Sequence, residues 1–234
     1  MYFIMNNFDQ NELDKFSKLA DEWWDPNGKF KPLHLINPLR SEYISKKINL
    51  EGLDVLDIGC GGGILAESLT KKGANVTAID LADGPLNVAK LRAQKTKLNI
   101  NYQKISSSDL AETGKKYDVI TCLEMLEHVP DPNKVVADCQ KLLKKDGHVF
   151  FSTINRNLKS LMLAIFGAEY ILNILPRGTH EYEKLIKPSE LKNFIDLANL
   201  EFKEIKGMLY LPFLDIAKLT NDTSVNYIIH ATQK

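Results

Sequence analysis

The sequence predicts an α/β protein: a mostly parallel, seven-stranded sheet with helices on both faces and a C-terminal antiparallel hairpin. Three observations predict it. Short apolar runs alternate with helical patterns from Leu53 to about residue 153. The first run, Val55-Leu56-Asp57-Ile58, meets four glycines within five residues (Gly59, Gly61, Gly62, Gly63) before a helical pattern begins. Two β-rich runs, 202–208 and 225–231, close the chain as a pair expected on the sheet edge, joined by a long connection.

Each element follows from its pattern. Residues 9–22 carry Leu13, Phe16, Leu19 and Ala20 at helical spacing, with Trp23 and Trp24 just beyond. The tryptophans either plug a hydrophobic gap or wall a pocket. Trp24-Asp25-Pro26-Asn27-Gly28 reads as a turn. Pro32 and Pro38 are expected to keep the next stretch irregular until a helix at 37–48. Strands are expected at 53–58, 75–80, 101–105, 117–122 and 147–153, and helices at 63–72, 84–96 and 132–144. Residues 156–178 break the alternation with a strongly apolar segment flanked by Arg156, Lys159 and Arg177. It reads as a buried lid helix or as an interfacial segment. Lys187-Pro188-Ser189 then starts a helix that runs to about 199. The organisation is a helical cap over 1–50 and a main domain over 51–234, with an insertion at about 156–187.

Composition narrows the function. The chain has 234 residues, and 44% hydrophobic and 26% charged residues suit one globular unit with a substantial core. Thirty basic and thirty acidic side chains cancel, so nothing electrostatic points to nucleic acid. Cys60, Cys122 and Cys139 lack metal-ligand spacing and read as small buried hydrophobes of a reducing compartment. The N-terminus lacks the basic start and apolar core of a signal peptide, and no run of ~18 apolar residues would span a bilayer. A cytoplasmic protein is expected.

The glycine turn suits a nucleotide-like ligand, because glycine lets a ligand lie against bare backbone and the next helix presents N–H groups. Gly61-x-Gly63-x-x-Ala66 formally fits a dinucleotide pattern. Asp57, at the mouth of the turn, would repel a pyrophosphate but suits the cationic S-adenosylmethionine (SAM). Asp80 ends the second strand at the spacing of a ribose-binding carboxylate. The ligand edge of such a sheet lies at the carboxyl ends of its strands, which aligns Gly59, Asp80, Asp109 and Leu123. Asp109, in Ser106-Ser107-Ser108-Asp109, either meets an adenine amino group or caps a turn. Arg40 is either a solvated helix residue or a clamp for the SAM carboxylate. If 124–128 is a helical turn, Glu124, Glu127 and His128 share one face. They would then hold a divalent cation, act as acid and base, or form a polar helix start.

These stretches together resemble the ubiquinone-biosynthesis O-methyltransferases, within the class I SAM-dependent methyltransferases of Rossmann-like fold. The resemblance covers nearly the whole chain. It is carried by Trp23-Trp24-Asp25, Phe30-Lys31-Pro32-Leu33-His34, Ile36-Asn37-Pro38-Leu39-Arg40, Leu56 through Glu67, Glu124-Met125-Leu126-Glu127-His128-Val129, Phe151 through Asn157, Gly167 through Leu172, and Lys187-Pro188-Ser189-Glu190-Leu191. Residues 212–225 match only loosely.

The resemblance implies SAM binding at Arg40, Gly59, Asp80 and Leu123, beside the Asp57 and Gly61 of the turn. It implies methylation of a phenolic or catechol-like hydroxyl on a polyprenylated ring, at two steps: 3-demethylubiquinol to ubiquinol, and 2-polyprenyl-6-hydroxyphenol to its methoxy product. A divalent cation (Mg or Zn) at Glu124, Glu127 and His128 is implied by mitochondrial relatives. Contact with the inner membrane, placed at 156–178, and membership of a ubiquinone-biosynthesis complex are implied too. Because a phenol titrates near ~10, the enzyme must deprotonate it and hold it about 3 Å from the methyl. Without a metal, His128 or His180 is the expected base, with His34 a third candidate and His148 and His230 structural. The competing readings are a nicotinamide-dependent oxidoreductase, a silent SAM-binding scaffold and a methyltransferase of another small acceptor.

Overall fold

The computed structural model describes residues 7–161, 181–211 and 216–234. Its parallel strands are β1 (Asp54–Ile58), β2 (Asn75–Asp80), β3 (Asn101–Lys104), β4 (Tyr117–Leu123) and β5 (Leu143–Ile154). They are followed by β6 (Leu200–Leu211), β7 (Ile216–Thr220) and β8 (Asn226–Gln233). The helices are α1 (Gln10–Lys18), α2 (Lys31–Lys47), α3 (Ile64–Lys71), α4 (Asp83–Thr96), α5 (Ser107–Glu112), α6 (Pro132–Leu142), the single turn α7 (Leu158–Ser160) and α8 (Pro188–Leu197).

The sheet order is β3-β2-β1-β4-β5-β8-β6-β7. The first five strands are parallel, and β8, β6 and β7 join by antiparallel pairing. Strand alternation sends neighbouring residues to opposite faces. On β1, Leu56 and Ile58 enter one core with Leu110, Val136, Leu142, Leu191 and Ile195 from α5, α6 and α8. Val55 enters the other with Ile44, Leu69 and Leu86 from α2, α3 and α4. Helices therefore cover both faces, as expected.

Three expectations change. The sheet has eight strands, because Ile216–Thr220 lies in the stretch read as connection and pairs only with β6. An edge strand of five residues, none fully buried, carries little apolar signal. The C-terminal pair also does not form the rim: β8 sits between β5 and β6. Finally, α2 begins at Lys31 rather than 37. Pro32 falls in the first turn, where no backbone N–H is needed, and the helix continues through Pro38. The insertion lies largely outside the described residues, which omit 162–180.

Candidate active site

The strand order reverses between β1 and β4, so the crevice at their carboxyl ends is the topological switch point. The glycine turn leaves β1 there, and residues 124–128 leave β4.

Asp80 builds the turn. Its Oδ2 accepts from the Gly61 N–H at 2.8 Å and its Oδ1 from the Ala82 N–H at 2.8 Å. Burial pushes this carboxyl up, against those two N–H contacts. Gly59, at φ +72°, has the left-handed backbone that side chains disfavour. At Gly62 the need is contact: a Cβ would lie 2.1 Å from Trp23 Cδ1. Trp23 stacks on Phe30 at 4.1 Å between ring centres, and the Trp24 Nε1–H donates to the Gly62 carbonyl at 2.8 Å. Arg92 lies over the Trp24 ring at 4.2 Å and pairs with Glu67 at 3.1 Å. Both tryptophans thus fasten the N-terminal segment to the turn. His34 belongs to the same fastening, with Nε2 3.0 Å from the Trp23 carbonyl oxygen.

Asp57 is 3% exposed and accepts from the Thr121 hydroxyl at 2.7 Å through Oδ1. Its Oδ2 is buried without a partner. Burial pushes its carboxyl up to about 7, with Thr121 and the Arg40 charge opposing and Asp80 adding to the rise. Arg40 is buried on α2, and its Nη2 meets Glu124 Oε1 at 2.8 Å. Glu124 also accepts from Ser152 Oγ at 2.6 Å and from Asn226 Nδ2 at 3.0 Å.

The three expected metal ligands do not converge. Glu124 has a left-handed backbone (φ +53°), which breaks the helical turn expected over 124–128 and leaves one 3-10 turn, Leu126–His128. Glu124 turns to Arg40, while Glu127 accepts from the Thr153 hydroxyl at 2.9 Å. His128 instead places Nδ1 2.8 Å from Glu12 Oε2. Among the described residues no group of three or more His, Cys, Asp or Glu is placed to hold a metal ion. The implied cation does not fit these side chains. Glu127 is instead a buried acid, raised to about 8 by burial first and then by the charge of Glu124.

The remaining expected residues scatter. Leu123 ends β4 half-buried at the crevice. Asp109 is exposed in the first turn of α5, where Ser106 Oγ donates to its Oδ2 at 2.6 Å and accepts from its N–H at 3.0 Å. His180 lies outside the described residues. His148 and His230 face each other at 2.9 Å across β5 and β8, level with the amino ends of the parallel strands. All three cysteines are buried and free.

Sequence reasoning missed Thr121, Ser152, Thr153, Asn226 and Glu12. The first three had a signal, hydroxyls inside otherwise apolar strands. Asn226 and Glu12 had none, since each arrives from more than 100 residues away.

Four buried atoms near this centre lack partners among the described residues: the donor Arg40 Nε and the acceptors Asp57 Oδ2, Glu127 Oε1 and Asn226 Oδ1. Buried polar groups are normally paired. The cationic Arg40 donor and the Asp57 carboxyl oxygen, left open together, suit a ligand carrying both a carboxylate and an ammonium, as the amino-acid end of SAM does.

Comparison with known proteins agrees with this chemistry. A family described as a methyltransferase domain matches residues 35–204. The ubiquinone biosynthesis O-methyltransferase of Actinobacillus pleuropneumoniae serotype 7 is 56% identical over 230 residues, 96% of this chain and 98% of its own. Those of Marinobacter nauticus and Pseudomonas entomophila are 51% and 50% identical, over 96% and 98% of this chain and 96% and 100% of their own. The fold matches magnesium protoporphyrin IX methyltransferase of Synechocystis PCC 6803 with bound SAM, at TM-score 0.67 and 17% identity over 98% of this chain and 100% of that one.

Proposed function

The chain belongs to the ubiquinone biosynthesis O-methyltransferases, and from that premise we propose how its residues divide the reaction. The enzyme transfers a methyl group from SAM to a phenolic hydroxyl on a prenylated ring. The two acceptors are a 3-demethylubiquinol and a 2-polyprenyl-6-hydroxyphenol.

Bound SAM supplies an electrophilic methyl on a sulfonium. Arg40 holds the amino-acid carboxylate with its two-pronged guanidinium, and Asp57 Oδ2 takes the ammonium. Gly59 and Gly61 give bare backbone beside them, and Asp80 keeps the turn in shape and meets the ribose. Leu123 packs against the cofactor, and Asp109 turns towards the adenine. His128 removes the phenolic proton, and His180, from the neighbouring insertion, is the second candidate. The phenolic oxygen attacks the methyl carbon as the carbon–sulfur bond breaks. That bond's electron pair stays on sulfur, the proton stays on the imidazole, and the products are the aryl methyl ether and S-adenosylhomocysteine. A base near the hydroxyl contributes typically 10²–10⁴-fold, roughly what a phenol ionised only near ~10 requires at neutral pH.

Among the described residues no helix is long and apolar enough to cross a membrane. A prenylated acceptor nevertheless resides in lipid, which supports peripheral contact with the inner membrane through the apolar segment at 156–178, and docking within a biosynthetic complex. Leu158, at the start of that segment, is 73% exposed.

The observation that carries the residue assignment is the open pair of opposite character, Arg40 Nε and Asp57 Oδ2, buried at the switch point. The test is transfer of labelled methyl from SAM to a short-chain demethylubiquinol. Turnover is expected. Tight S-adenosylhomocysteine binding without turnover would remove the acceptor assignment while leaving the cofactor site in place.

A further inference from the structure

We propose that Glu12, carried in by α1, is a positioning residue for His128, so that the N-terminal segment completes a carboxylate–imidazole pair at the crevice. The proposal rests on the reading of His128 as the base.

Glu12 is the one fully buried residue of α1, at 8% exposure. An amphipathic surface helix has reason to bury Phe16, but burying a carboxylate is costly unless it is paired. Its partner is 116 residues away: Glu12 Oε2 lies 2.8 Å from His128 Nδ1. One helical turn on, Phe16 meets the same imidazole edge-on, with ring centres 5.1 Å apart and planes at 90°. Helix α1 therefore grips the ring by two side chains at i and i+4, fixing both its plane and its rotation.

An ionised carboxylate only accepts hydrogen bonds, so the proton must sit on His128 Nδ1. A carboxylate is ordinarily ionised at neutral pH, and Glu12 meets the imidazole at 2.8 Å as an acceptor. With the proton fixed on Nδ1, Nε2 is the nitrogen that takes the phenolic proton, and the carboxylate stabilises the imidazolium that forms. The pairing also accounts for the missing metal cluster, because α1 turns His128 away from Glu124 and Glu127.

The test compares Glu12→Gln, Glu12→Ala and His128→Ala in labelled methyl transfer, with the His128 tautomer read by long-range proton–nitrogen NMR. Wild type is expected to show Nδ1–H. Glu12→Gln keeps the shape of the side chain, but its amide can donate to Nδ1 and move the proton to Nε2. A fall in kcat of about 10²–10⁴ is expected, the range of a lost general base, with KM for SAM within about twofold. His128→Ala should fall at least as far while still binding S-adenosylhomocysteine. Wild-type kcat in both Glu12 variants beside an inactive His128→Ala would overturn the role of Glu12 and leave the base reading intact. An Nε2–H tautomer in the wild type would overturn it as well. Wild-type turnover in His128→Ala would remove the base reading, and with it any positioning role for Glu12.

Discussion

Alanine at Gly62 should dislodge the N-terminal segment through a single contact. Gly62 does not have a positive φ, so the backbone tolerates alanine and the cost is steric. The new Cβ would lie 2.1 Å from Trp23 Cδ1, 2.2 Å from Cγ and 2.6 Å from Nε1. These atoms belong to a rigid indole stacked on Phe30, not to the end of a flexible chain. Trp23 must therefore leave a site where it is 7% exposed. A buried Trp removes roughly 150–250 Å² from water, so full expulsion costs at most about 4–6 kcal/mol. Partial adjustment brings the expected loss to ~3 kcal/mol. The same substitution in a Trp23→Ala background has nothing to strike and should cost under ~1 kcal/mol. Urea unfolding of the four proteins, followed by circular dichroism, gives a coupling energy expected at ~2 kcal/mol or more. The chain's two tryptophans both lie in this contact, so Gly62→Ala should also red-shift the emission. Additive losses within about 0.5 kcal/mol, with emission unchanged, would refute the argument.

Three further substitutions probe the crevice and its fastening. Trp24→Phe keeps the ring but loses the 2.8 Å bond to the Gly62 carbonyl, and should lower stability by about 1 kcal/mol in the same unfolding assay. Arg40→Leu leaves Glu124 without its counter-charge; a loss of ~3–5 kcal/mol is expected by thermal unfolding. Arg40→Lys should fold better yet still bind S-adenosylhomocysteine at least tenfold more weakly by calorimetry, because an ammonium is not a fork. Glu127→Gln tests a pH dependence. The carboxyl rises from an ordinary 4.5 to about 8 on folding, so the folded chain retains a proton that the unfolded chain has released. Its contribution is complete below the unfolded value and is lost as pH rises through about 8, at up to ~1.4 kcal/mol per pH unit. Asp57, raised from 3.8 to about 7, adds to the fall, while His230, lowered from 6.5 to about 4 by burial, opposes it below about pH 6.5. Between pH 6.5 and 8 melting temperatures should therefore fall in the wild type and fall less in Glu127→Gln.

The parallel half of the sheet was legible because strands covered on both faces are written as nearly continuous apolar runs, such as Val55–Ile58 and Val119–Cys122, each broken by one polar residue. Strand β7 was not, since a half-exposed edge strand needs no such run. The start of α2 was misread because Pro32 is a helix breaker in general and a good first-turn residue in particular. In the site, Asp57 and Asp80 stood out as acids ending apolar strands. The geometry of 124–128 did not, because helical spacing was assumed where one residue adopts φ +53°. Glu12 and Asn226 reach the crevice only through tertiary packing, and no local pattern marks them.

That left-handed residue explains why the crevice is organised as it is. A non-glycine residue in this conformation costs of order 1–2 kcal/mol, so the surroundings must hold it there. Glu124 first extends the ladder, its N–H donating to the Ser152 carbonyl at 2.9 Å. Its side chain then reaches Ser152 of β5, Asn226 of β8 and Arg40 of α2. A regular helical turn from 124 would instead have aimed Glu124, Glu127 and His128 along one face. The strained residue thus exchanges a metal-type cluster for a clamp that orients the Arg40 guanidinium before any ligand arrives. It also releases His128 to the N-terminal helix. Under the proposed assignment, cofactor holding by Arg40 and proton removal by His128 fall to different partners on either side of this one backbone angle, and a substitution relaxing that angle is expected to disturb both together.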